Sequence, residues 1–237
     1  MDASPPRPLR PPRRPDPTAA PTEKPLLRGW IHLVTAPLAV VAGAVLVTIA
    51  PSGAARTASA VFATSAVLLF TVSAVYHRGR WTPAVSGVLR RLDHSAIGVV
   101  IAGTYTPFAV LLLPPRTAVI LLSVVWAGAV GIVLFRTLWF RAPRWLYTPL
   151  YILLGWAAVW FLPQFHAGGG AAVLTFVVVG GVLYTVGALA YALRRPDPLP
   201  RVFGYHEVFH AFTVAAFAAH VVGVAMALDV TAPPGAA

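Results

Sequence analysis

Apolar residues gather in seven runs separated by short polar connections: 31–50, 57–76, 94–113, 117–135, 145–163, 171–193 and 206–228. Each run holds about 20 residues, enough for a helix to cross roughly 30 Å of hydrocarbon, and none contains lysine or arginine. Helices of a water-soluble protein need polar faces, and these runs have none. The pattern predicts an all-α integral membrane protein, a seven-transmembrane helix bundle spanning residues 29–230. A proline- and arginine-rich segment, 1–28, precedes it and a short tail, 231–237, follows.

Composition agrees, since 58% of the 237 residues are hydrophobic and 11% are charged. The first 28 residues hold nine prolines and six basic residues but no apolar stretch that could act as a secretion signal, so they read as a disordered tail. The net charge of +11 does not point to nucleic acid, because the basic residues lie in short clusters between apolar runs. They read as topology signals. The tail carries six, residues 78–91 four, 136–144 three and 194–201 three, whereas the alternate connections carry Arg56, Arg116 and none. Positive charge accumulates inside, which puts the N-terminus in the cytoplasm and, after seven crossings, the C-terminus outside. The expected location is the plasma membrane. No internal repeat suggests a transporter built from inverted halves.

The polar residues at the span edges carry the candidate chemistry. The stretch "GYHEVFHAF", residues 204–212, matches the H-E-x-x-H zinc signature. Its spacing of four puts His206 and His210 on one helical face about one turn apart. A catalytic zinc takes three protein ligands, so a third must come from another helix, and His77 ends the second run at the same depth. With no cysteine, imidazole and carboxylate are the available donors. In "SAVYH", Ser73 lies one turn before His77 on the same face; Asp93 begins the third span. Ionisable groups at membrane depth are costly and are retained where they face the bundle interior with a partner, so a shared site is the economical reading. His32 reads as an interfacial side chain beside Trp30, His94 as a possible support for Asp93, and His166 as part of an outer loop. His220 lies too far along its helix for the same ion and is expected to hydrogen-bond within the bundle. "GTYTPF", residues 103–108, suggests close packing and a kink in the third helix.

Three ordered motifs, "SAVYH", "RLDHSAIGVVIAGTYTPF" and "HEVFHAFTVAAFAAHVVGV", resemble the bacterial haemolysin III family, which is related to the progestin and adiponectin receptors and, more distantly, to alkaline ceramidases. The resemblance covers nearly everything after the tail. It implies a seven-helix fold with zinc held by His77, His206 and His210, Asp93 contacting the metal through water, and Ser73 beside it. Receptor relatives can carry glutamine at the position of Glu207, which speaks against an obligatory acid–base role for that residue.

The expected activity is a zinc-dependent hydrolysis of a lipid amide or ester bond, with membrane lipid as substrate or ligand and Asp93 and Ser73 as catalytic residues. A different class remains open: a receptor or membrane-stress sensor whose zinc ties helices together. Two further readings are weaker. A pore-forming haemolysin lacks a polar stripe to line a channel, and a protease would require Glu207 to face the metal, whereas a helix turns it about 60–100° away from the two histidines.

Overall fold

The computed structural model describes residues 24–139 and 141–232, and within these it is all-helical. The helices are α1 Trp30–Ile49, α2 Gly53–Arg78, α3 Pro83–Leu112, α4 Pro115–Leu138, α5 Arg144–Gly155, α6 Leu162–Leu193 and α7 Tyr205–Val230. Six helical stretches are long and apolar enough to cross a membrane. One of them is the 50-residue Arg144–Leu193 stretch, which α5 and α6 share. Drawn straight it would measure about 75 Å at 1.5 Å per residue. It is not straight. A 3-10 turn, Ala157–Phe161, follows α5, and Gly170 leaves the helical region with φ 73° and ψ 178°, a conformation that favours glycine. His166, expected in a loop, therefore lies on the first turns of α6.

The helices close into a ring. α1 packs on α2, α2 on α3, α3 on α4, α4 on α5, α5 on α6 and α6 on α7, which returns to α1. α3 also touches α5, α6 and α7, which places it in the interior of the bundle. Its most apolar stretch is 72% buried against 28% for α1 and for α4. Large apolar side chains such as Val41, Val119, Trp160 and Leu193 face outward. An apolar exterior of this extent suits lipid and would drive association in water.

Local sequence explains where the helices start. Ser52 caps α2 by accepting from the Ala55 amide at 3.2 Å. Thr82 caps α3, with Pro83 at the first helical position. α3 thus starts eleven residues earlier than hydropathy suggests, and Asp93 lies nearly three turns inside it instead of at its start. The "GTYTPF" stretch packs closely, as expected: a Cβ on Gly103 would sit 2.1 Å from Ser65 Oγ. α3 continues through Pro107. Tyr105 donates to the Gly155 carbonyl and accepts from the Ala158 amide at 3.1 Å, so α3 satisfies backbone groups freed where α5 gives way to the 3-10 turn.

Most of the segment expected to be a tail falls outside the described residues. At its end, the Leu26 and Leu27 amides donate to the Arg201 and Val202 carbonyls, at 3.0 and 3.1 Å. This pairing lays residues 24–28 across the entrance to α7.

Candidate metal centre

Three helix ends converge where α1 and α7 begin and α2 finishes. His77 is the penultimate residue of α2, and His206 and His210 lie on the first two turns of α7. One ring nitrogen from each can be chosen so that all three lie within 4.8 Å of one another. His77 and His210 are buried and His206 is half-buried. His77 Nε2 and His206 Nε2 stand 3.2 Å apart. Two nitrogens bound to one tetrahedral ion at 2.0–2.1 Å stand about 3.3 Å apart, so this spacing fits zinc. The donor chemistry fits as well, because the cluster is all imidazole and His210 Nδ1 is buried without a hydrogen-bond partner.

Asp93 comes in from α3. Its Oδ2 stands 3.8 Å from His77 Nε2, and Ser73, buried one turn before His77, interacts with the same carboxylate. The structure therefore brings His77, His206, His210, Asp93 and Ser73 together. His94 is adjacent but turned: its Nδ1 donates to the Arg90 carbonyl at 2.9 Å, and its 3.6 Å approach to Asp93 Oδ2 is too long for a hydrogen bond.

Glu207 is fully buried and directed elsewhere. Its Oε2 accepts from the Gly204 amide at 2.9 Å, capping α7, and its Oε1 pairs with Arg28. Its partners are thus the Gly204 amide at the start of α7 and Arg28, just before α1.

His32, expected as an interfacial side chain beside Trp30, lies on the first turn of α1 and is 2% exposed. Its ring stacks on His210 with centroids 3.8 Å apart and planes 13° apart, and Phe70 meets it edge-on. Imidazole lone pairs lie in the ring plane, and two nearly parallel planes stacked face to face do not converge on one point, so His32 is poorly placed to join His210 on one tetrahedral ion. It holds the ligand ring from behind. The available signal was the cost of a buried ionisable group, which applied to His32 as much as to His77.

The cluster stands between two openings. A mainly apolar cavity of about 140 Å³ is lined at one end by Ser73, Asp93, His206 and His210. It runs along α7 to His220 and reaches Phe165 on α6. On the other side, Lys24, Arg28, Arg78 and Arg80 line a polar cleft with His77 in its wall.

The Haemolysin-III related family matches residues 21–221. The hemolysin-3 homolog of Bacillus subtilis (strain 168) is 30% identical over 159 residues, covering 67% of this chain and 71% of that protein. Hemolysin-3 of Bacillus cereus is 31% identical over 163 residues, covering 69% and 71%. The apolar helices that enclose a buried three-histidine cluster are those of a multi-pass membrane protein, and the chain belongs to the haemolysin III family.

Proposed function

We propose that this chain is a seven-span membrane zinc hydrolase, N-terminus in the cytoplasm and C-terminus outside, that cleaves an amide or ester bond in a membrane lipid. One observation carries the reading: His206 and His210, with Asp93 and Ser73 beside them, line the end of a long, mainly apolar cavity inside the bundle. A metal that only braced the helices would not need such a cavity. The basic connections support the orientation, and the break at Gly170 supports two crossings within the 50-residue stretch.

His77, His206 and His210 would hold the zinc. When bound, it supplies a Lewis acid that polarises the scissile carbonyl and eases deprotonation of water. The apolar walls hold the acyl chain and exclude bulk water, orienting the carbonyl toward the histidine end. Asp93 takes the proton of the attacking water and returns it to the departing amine or alcohol. Ser73 donates its single hydroxyl hydrogen to the Asp93 carboxylate and so holds the proton acceptor in place. Glu207, engaged with the Gly204 amide and Arg28, takes no part in proton transfer. The resemblance to alkaline ceramidases makes lipid amides the first substrates to try.

The second reading, a receptor or membrane-stress sensor with a structural zinc, is favoured by one feature: α2 and α7 share only a narrow contact, so an ion between His77 and His206 would staple them. Metal analysis of the purified protein, with mass spectrometry of a mixed membrane lipid extract before and after incubation, separates the two. Zinc with release of fatty acid supports the hydrolase. Stoichiometric zinc with an unchanged lipid profile supports the sensor.

A further inference from the structure

The cavity has a second polar end. His220 lies ten residues beyond His210 on α7, about 15 Å along the helix axis at 1.5 Å per residue, and far inside the membrane span. Tyr184, on α6, faces it with ring centroids 5.8 Å apart, and both residues line the cavity. Packing fixes the imidazole. Gly180 leaves room for it, since a Cβ there would come within 2.1 Å of His220 Nε2, and Phe108 meets its ring edge-on.

The hydrogen-bond inventory at this end is specific. His220 Nε2 stands 3.3 Å from the Val177 carbonyl, which can only accept, so Nε2 carries the hydrogen. The neutral ring then presents Nδ1 as an acceptor. That Nδ1 is buried with no partner, and so is the Tyr184 hydroxyl. Two unpaired polar groups in a span flanked by hydrocarbon are costly. One is an acceptor; the other can donate.

A hydroxyl group satisfies both, donating to Nδ1 and accepting from Tyr184. A ketone or ester oxygen satisfies Tyr184 alone, and a plain methylene chain satisfies neither. We propose that Tyr184 and His220 form a second polar subsite, which binds a hydroxyl carried along the hydrophobic chain of the lipid that this cavity takes. The proposal rests on the reading of the cavity as a lipid site. It narrows the ligand class to hydroxylated acyl lipids, with the hydroxyl remote from the group held at the histidine cluster.

The test is a binding scan on the purified, metal-loaded full chain. Stearic acid and a series of monohydroxystearic acids, the hydroxyl moved stepwise along the chain, compete with a fluorescent fatty acid. The expected result is that at least one hydroxyl position binds about tenfold more tightly than stearic acid, the scale of a satisfied buried pair. Tyr184→Phe and His220→Phe should each bring that ratio close to one; the ratio cancels any loss of binding common to both ligands. If an ordered water occupies the subsite permanently, no hydroxyl position is preferred and the proposal fails while the lipid reading stands. A preference that survives both substitutions also overturns it. If no acyl chain competes at all, the lipid reading of the cavity falls and this proposal falls with it.

Discussion

Replacing Glu207 by glutamine tests the metal-centre assignment most sharply, because the same residue is the general base in a zinc-protease reading and a structural cap in ours. The carboxylate is fully buried, accepts from the Gly204 amide at 2.9 Å and pairs with Arg28, whose side chain is 18% exposed. Glutamine keeps an oxygen for the amide but loses the charge opposite Arg28. Removing one partner of a fully buried pair costs about 3–5 kcal/mol. Partial exposure of Arg28 lets water take over some of its solvation, so about 1–3 kcal/mol is expected here. On the scale of soluble domains that is a fall in Tm of several degrees. Arg28→Met alone should cost a similar amount, and the double variant should cost less than the sum, since the two residues are in direct contact. The assay is thermal unfolding of wild type, both single variants and the double variant in one detergent, with zinc content and lipid turnover measured on the same preparations. Metal content should be unchanged, and turnover of the folded fraction should stay within about threefold of wild type, against the 10²–10⁴-fold that loss of a general base typically costs. Abolished turnover at an unchanged Tm would show that Glu207 handles the proton and that the capping account is wrong.

Alanine at His77, His206 or His210 should lower bound zinc and Tm together, because an ion held by all three would join α2 to α7, while His220→Ala should leave zinc content unchanged; metal analysis showing equal loss in all four would mean that the ligands are misassigned. Asp93→Asn should retain zinc yet reduce turnover by about 10²–10⁴-fold, read as kcat against metal content, since the amide keeps the shape but cannot take a proton. A reporter fused after Ala237 that is active only outside the cytoplasm should give signal, and one active only inside should not; the reverse would overturn the charge-based topology.

How much of this was legible in sequence differs from residue to residue. The membrane character and the apolar helices follow from runs that need no tertiary information, because burying a polar backbone in hydrocarbon leaves the helix as the only local solution. His206 and His210 were legible as a pair through the 3.6-residue period, and His77 through its depth. The early start of α3 was encoded too, in Thr82 followed by Pro83, but hydropathy passes over a cap. His166 was misread because "HAGGG" looks like a loop, although the helix persists until Gly170 alone leaves it.

The sequence by itself determined that the chain is a bundle of membrane helices and which helix faces carry imidazole, since both depend on local periodicity and on transfer free energy. Only the tertiary structure decided how those faces meet. The stacking of His32 on His210, the engagement of Glu207 with Arg28, and the facing rings of His220 and Tyr184, with Nδ1 and the hydroxyl unpaired, each join residues far apart along the chain. Their encounters depend on the rotation and approach of whole helices, which are set by small contacts such as Gly180 against an imidazole and leave no trace in the spacing of residues along one helix.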